Sequence, residues 1–466
     1  MAPPNLLLII SDQFRASSVG CLGQDPTHTP AVDRLAREGR LLTDAVSPYP
    51  VCSPARAMML TGQYPWANGV PFNVNSQTAP WGVGLRQDAT CWSDVLAEAG
   101  YRLGYIGKLH LTPPTAADER YGEGRRDDGK VWDAWTPPGQ RHGFAFWYSH
   151  GCCDHHLTPH YWSTDAAQDA PHRVEQWSAE HETDVALGFL RDVAAAGPGQ
   201  RRPFGLVVSI NPPHQPFDQV PEPFRRLYAG LSPEELLTRP NVDLDSEAGR
   251  EAASIAGDYF AAVTAVDDQV GRLLAELDAS GLAEDTIVIF TSDHGMQLGS
   301  HGLLYKNVPY DESVRVPFVV RWPGRIAPGT DDLLLGSADV APTLLGLLGL
   351  ADRIPAETQG SDCSGALLGR PDAPRPDTQL YFRPPLDPDA PDLRGLRSHS
   401  HKLVAEFTPG SAFDVLLFDL VGDPYELADV AAGQPDVLAS MTAELKRRLA
   451  EIGDPWPGLA HLEQAR

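Results

Sequence analysis

Pro4-Asn5-Leu6-Leu7-Leu8-Ile9-Ile10-Ser11-Asp12-Gln13 carries five consecutive apolar side chains straight into three polar ones. The run is too short to cross a bilayer and has no basic segment before it, so it does not read as a leader peptide. It reads as a strand buried on both faces, the form strands take in parallel sheets. Similar runs recur at 104–106, 206–210, 287–291 and 318–321, separated by helical patterns near 30–38, 54–61, 91–99, 180–195 and 248–279. This alternation predicts an α/β fold, a large and mostly parallel sheet sandwiched by helices. Ligands bind such sheets beyond the carboxyl ends of the strands. The residues just past those ends are chemically suggestive: Asp12 and Gln13, Lys108 and His110, His214, then Asp293 and His294.

The chain has 466 residues, enough for a catalytic α/β domain over 1–375 and a smaller C-terminal subdomain over 376–466. Residues 112–176 are rich in Pro, Gly, Trp, His and Asp without a clear period, which predicts a long loop insertion. After Arg383-Pro384-Pro385-Leu386-Asp387-Pro388, apolar runs near 396–404 and 416–420 predict a short antiparallel sheet, closed by an amphipathic helix near 434–451.

A net charge of -25 argues against a nucleic-acid partner, because a phosphate backbone is repelled by such a surface. An anionic substrate then needs local positive charge, for which Arg56, Lys108, Lys306 and a metal are candidates. No segment reads as membrane-spanning, no membrane partner is expected, and with no leader the chain reads as cytoplasmic. Six cysteines are too few and too irregular for a disulfide scaffold in a chain of this size and are expected reduced. Cys152-Cys153-Asp154-His155-His156 lacks zinc-finger spacing and reads as loop packing. The sequence is silent on oligomeric state.

The most chemical stretch is Val51-Cys52-Ser53-Pro54-Ala55-Arg56, running into Ala57-Met58-Met59-Leu60-Thr61-Gly62. Pro54 suits a first helical turn, so Cys52 stands at a helix N-terminus whose free N–H groups attract an anion, with Arg56 one turn on. Asp12, Asp293, His294 and the Gln13 amide offer ligands for one divalent cation. Oxygen ligands favour calcium or magnesium, whereas the histidine and amide favour manganese, zinc or iron. In an extended segment Lys108 and His110 point to one face and can meet one anion.

Together these segments resemble the sulfatase family of the alkaline phosphatase superfamily. The resemblance is carried by the 4–13 run, Thr29-Pro30-Ala31-Val32-Asp33-Arg34-Leu35, the Cys52 motif with Leu60-Thr61-Gly62, and Gly107-Lys108-Leu109-His110. It continues through Pro213-His214-Gln215-Pro216-Phe217, the stretch from Asp293 to Lys306, Arg315-Val316-Pro317, Trp322-Pro323-Gly324 and Leu417-Phe418-Asp419-Leu420. It implies a sulfuric ester hydrolase of arylsulfatase type, in which a formylglycine-generating enzyme oxidises Cys52 to formylglycine, the catalytic nucleophile. By the same resemblance the reaction passes through a covalent sulfo-enzyme intermediate. Arg56 and Lys108 face the sulfuryl oxygens, His214 and Lys306 assist the leaving alcohol, and His110 deprotonates the second hydroxyl of the hydrated aldehyde. Asp12, Gln13, Cys52, Asp293 and His294 hold one metal, calcium ahead of magnesium, manganese or zinc, although typical members carry Asp where this chain has Gln13. Asn73 matches a substrate-contacting asparagine of choline sulfatases and phosphonate monoester hydrolases, and reads equally as a turn residue.

The enzymatic alternative is a phosphonate monoester or phosphodiester hydrolase of the same superfamily. The Asp12-Gln13 and Asp293-His294 pairs resemble that branch, but Lys108 and His110 favour the sulfatase. A non-catalytic anion-binding protein is a third reading, disfavoured by the intact set of candidate residues. The substrate is expected to be a small-molecule or carbohydrate sulfate ester. Trp66, Trp81, Trp132, Trp135, Trp147 and Trp162 are available either to stack on a ligand ring or to hold loops.

Overall fold

A computed structural model describes residues 3–196 and 201–462. Ten strands form the large sheet: β1 (Asn5–Ser11), β2 (Arg40–Leu42), β3 (Arg102–Lys108), β4 (Phe146–His150), β5 (His160–Ser163), β6 (His172–Arg173), β7 (Phe204–Ile210), β8 (Thr286–Ser292), β9 (Phe318–Arg321) and β10 (Gly329–Asp331). Their order is β10-β2-β9-β8-β1-β7-β3-β4-β5-β6. The five central strands, β8 to β4 in that order, run parallel, and antiparallel pairs flank them on both sides.

The first strand shows why the sheet needs two helical covers. All seven residues of β1 are buried. Side chains alternate between faces, so Leu7 and Ile9 join one core while Leu6, Leu8 and Ile10 join another. The long helix Glu247–Ala279 supplies Phe260, Val266, Leu273 and Leu277 to the first core. The helix Cys52–Thr61 supplies Ala55, Ala57, Met59 and Leu60 to the second. Each fully buried Leu or Ile here is worth about 1.5–3 kcal/mol in removed apolar surface.

The stretch 112–176 is more ordered than a loop insertion. It contains the helix Ala116–Tyr121 and the strands β4, β5 and β6, which extend the sheet from β3 outward. Its strands escape a pattern search because β5 and β6 have only four and two residues. Aromatic side chains also sit on both faces of β4 and β5. Trp147 and Trp162 are buried there, and the rings of Tyr148 and Tyr161 stack at 4.7 Å.

The smaller sheet is the antiparallel meander β11 (Gln379–Arg383), β12 (Asp392–Arg397), β13 (His401–Phe407) and β14 (Asp414–Asp419). The helix Pro435–Glu451 packs Leu438, Met441, Leu445 and Leu449 into a core shared with Leu396, Leu403 and Leu417. That core also receives Val51 and Met58, so the smaller sheet and the start of the Cys52 helix share one apolar core. The six cysteines are all free, and no helix among the described residues is long and apolar enough to cross a membrane.

Candidate active site

The carboxyl ends of β1, β3, β7 and β8 lead to Asp12, Lys108, Asn211 and Asp293. These residues converge on the start of the Cys52–Thr61 helix. Val51 is extended, the helix begins at Cys52, and Gly62 closes it in the left-handed conformation at φ 69°, donating to the Met58 carbonyl. All ten helical residues are buried. The Ser53 N–H, free in the first turn, donates to Asn73 Oδ1 at 3.0 Å. Asn73 therefore serves the helix end, and it also lines a cleft beside it.

Each aspartate divides its two oxygens between different tasks. Asp12 Oδ2 meets Lys108 Nζ at 2.7 Å and Arg56 Nη2 at 3.1 Å. Asp293 Oδ2 accepts from Arg56 Nε at 2.8 Å. The two Oδ1 atoms turn inward, lying 3.4 and 3.6 Å from His294 Nε2, which is itself 3.2 Å from Cys52 Sγ. His294 Nδ1 lies 2.9 Å from the Gly295 carbonyl. A carbonyl only accepts, so Nδ1 carries a proton and Nε2 is the ring nitrogen turned to the cluster. The donor atoms of Asp12, Cys52, Asp293 and His294 all lie within 4.8 Å of one another and are buried. Two carboxylate oxygens, an imidazole nitrogen and the Cys52 side chain suit one divalent cation.

The electrostatics agree with an anionic pocket ringed by cations. Burial works against the Asp12 carboxylate, but Lys108, His214, His294 and Arg56 hold its pKa well below the usual range. Burial, followed by repulsion from Asp12, pushes Asp293 up instead. A cation between the two carboxylates relieves that repulsion. Burial and Asp12 also oppose ionisation of the Cys52 thiol, yet Lys108, Lys306 and His294 outweigh them and lower its pKa well below the ordinary value.

Gln13, expected as a fifth ligand, follows Asp12 directly and lies against both Lys306 and Asp293. Its Oε1 accepts from Lys306 Nζ at 2.6 Å, and its backbone N–H donates to Asp293 Oδ1. Arg56 is held by several elements at once. Besides the two aspartates, its Nη1 donates to the Lys108 carbonyl and Ser209 Oγ at 2.8 and 2.6 Å. Through Nε and Nη2 it holds Asp293 and Asp12 in place around the centre.

Lys108 Nζ lies 4.0 Å from Cys52 Sγ and donates to Asn211 Oδ1 at 2.9 Å. His110 Nε2 lies 2.9 Å from the Val74 carbonyl, so it donates and leaves Nδ1 buried without a partner. Burial, aided by Lys108 and Arg56 and opposed by Cys52, lowers the His110 pKa, leaving Nδ1 an available acceptor. His214 has the opposite character. Burial, Lys306 and Lys108 oppose its charge, but Asp154 and Asp12 prevail and raise it to about 9.

The chain matches the Sulfatase family model over residues 4–350 and the model for the N-sulphoglucosamine sulphohydrolase C-terminal region over 299–454. It is 39% identical to an endo-4-O-sulfatase of Bacteroides thetaiotaomicron, across 97% of this chain and 93% of that one. The chain belongs to the sulfatase family. This sulfatase, a sulfuric ester hydrolase, is also 33% identical to an ulvan-active sulfatase of Formosa agariphila, over 97% of this chain and 82% of the relative. A solved structure from work on the metabolism of multiple glycosaminoglycans by Bacteroides thetaiotaomicron superposes with TM-score 0.92 at 38% identity, covering 99% of both chains.

Two residues of this sulfatase site, Asn211 and Asp154, are not singled out by the sequence alone. Asn211, the first residue after β7, bridges Lys108 to the insertion by donating to the Cys153 carbonyl at 2.7 Å. Its position just past a central strand was a usable signal. Asp154, 3.4 Å from His214 Nδ1 and ion-paired to Arg126, comes from the aperiodic insertion, where no spacing rule points to it.

Proposed function

We propose that this sulfatase releases sulfate from a sulfated carbohydrate, using Cys52 matured to formylglycine and one divalent cation, calcium ahead of magnesium, manganese or zinc. The observation that carries this reading is the convergence of Asp12, Asp293 and His294 on Cys52, with Lys108 and His110 on its flanks. The carbohydrate class is supported by the relatives, one an endo-4-O-sulfatase and another active on ulvan. Conversion of Cys52 by a formylglycine-generating enzyme supplies an aldehyde whose hydrate carries oxygen nucleophiles. A cation held by Asp12, Asp293, His294 and the residue-52 side chain supplies Lewis-acid polarisation of the sulfuryl group.

The chain's own groups divide the remaining work. Lys108 Nζ places positive charge where sulfuryl oxygens develop negative charge. Arg56 orients both aspartates and favours their ionised forms. His110 Nδ1, unpaired and depressed in pKa, is the base available to residue 52. His214, raised to about 9, holds the proton required by the departing alkoxide, and Lys306 adds charge on the same side. Gln13 anchors Lys306.

The phosphonate hydrolase alternative is disfavoured by Lys108 and His110. One metallated preparation tested on a sulfated oligosaccharide and an aryl phosphonate decides between them. Sulfate release is expected to be much the faster, and faster phosphonate hydrolysis overturns the reading.

A further inference from the structure

Beside the buried centre lies a cleft of about 290 Å³ between the insertion and the smaller sheet. It begins one residue from the nucleophile, at Val51, and one residue past Lys306, at Asn307. The ring of Trp132, which forms part of its wall, meets the His110 ring at 5.8 Å. A group bonded to a sulfate ester at Cys52 therefore has this cleft as its neighbouring space.

The lining has a composition unlike the rest of the molecule. The chain carries 62 acidic and 37 basic residues, yet the described residues lining the cleft include Lys130 and Arg383 and no Asp or Glu. Arg383 pairs with Leu393 through the strand ladder, while its guanidinium has no hydrogen bond or ion pair among the described residues. Lys130 has one loose partner, Asp128 at 3.6 Å, and sits 5.4 Å from the centre of the Trp132 ring. Asn307 adds a buried amide oxygen without a partner, held in the left-handed conformation at φ 67°. An unpaired buried acceptor is costly unless something donates to it, and a sugar hydroxyl is such a donor.

We infer that this cleft is a subsite for an acidic neighbouring sugar, with Arg383 and Lys130 binding its oxyanion, Trp132 packing against its ring and Asn307 accepting from a hydroxyl. The inference rests on the sulfated-carbohydrate reading and narrows it to chains carrying a second negative charge beside the scissile ester. On a surface of net charge -25, such a chain needs compensating cations outside the reaction centre. Arg383 ends β11, so the smaller sheet takes part in substrate selection.

Three oligosaccharides sharing one sulfate ester test this: one with a neighbouring uronate, one with a neighbouring second sulfate, and one with the uronate reduced to its alcohol. The matured enzyme is expected to favour at least one acidic substrate over the neutral one by about ten-fold or more in kcat/KM, as a charge-assisted contact provides. Whichever acidic substrate is favoured names the oxyanion. Arg383→Gln and Lys130→Ala are each expected to shrink that preference through KM, with Arg383→Lys restoring part of it. Equal rates on all three, or a preference that survives both losses, overturns the subsite while leaving the hydrolase intact. Calorimetric titration of Cys52→Ala protein with the sulfate-free uronate oligosaccharide separates the two claims. Binding that needs Arg383, in a protein whose matured form hydrolyses no sulfate ester, would uphold the subsite and overturn the hydrolase reading.

Discussion

Arg56 is the residue on which the geometry of the centre turns. It is 2% exposed, and its fork joins Asp12, Asp293, Ser209 and the Lys108 carbonyl. Lysine retains the charge but cannot span these acceptors, so Arg56→Lys leaves buried carboxylate oxygens unpaired. The expected cost is about 3–5 kcal/mol, read from the denaturant midpoint, together with reduced bound metal in the native protein. Gly107 is constrained by space instead. Its φ is 92°, and an added Cβ would lie 2.1 Å from the Ser209 carbonyl oxygen, inside the β3–β7 pairing next to Lys108. Gly107→Ala is expected to cost at least about 2 kcal/mol in a urea titration.

At the level of elements, the strands beneath the site are legible because both their faces are buried. β1, β7 and β8 each place seven buried residues in a row, so an apolar run betrays them whatever the tertiary context. The Cys52 helix is legible for another reason, since Pro54 and Gly62 mark its ends. The insertion is illegible because its structure is held by polar contacts between residues distant in sequence. Asp133 accepts from His160 at 2.6 Å and from the N–H groups of Glu123, Gly151 and Cys152. Burial opposes the His160 charge, but Asp133 and Cys153 raise its pKa to about 10 from an ordinary 6.5. A raised histidine stabilises fully below its unfolded value and loses that contribution as pH climbs through its folded one. The stability difference between the native protein and His160→Gln is therefore expected to be constant below pH 6.5 and to fall towards pH 10. The slope in that window is about 1.4 kcal/mol per pH unit, measured by urea titrations at several pH values. A difference independent of pH across it contradicts the assignment.

Over the whole molecule, the two sheets are tied by buried charge as well as by apolar packing. Asp311, ahead of Val314, accepts from Lys402 of β13 at 2.7 Å and from Arg397 of β12 at 3.3 Å, while Lys402 also pairs with Glu426. Burial opposes the Asp311 carboxylate, yet Arg397 and Lys402 hold its pKa far below the usual range. Asp311→Asn is expected to cost about 3 kcal/mol, because it leaves two buried cations undercompensated. Thermal unfolding should show the loss. No sequence pattern announces this joint, since its partners lie about 90 residues apart. Gln13 and Arg56 teach the same lesson within the centre. Their proximity to the reacting atoms was readable from position, but which atoms they contact depended on how Lys306 and the two aspartates approached them.

The chemistry proposed for this sulfatase depends on Cys52 being the precursor of the nucleophile. Peptide mass spectrometry across Cys52, on protein produced with and without a formylglycine-generating enzyme and paired with a sulfate-release assay, tests it most directly. The Cys52 peptide is expected to lose the mass required to exchange a thiol for an aldehyde, and sulfate release to rise in proportion to the converted fraction. Full activity in protein whose Cys52 remains an intact thiol would contradict it.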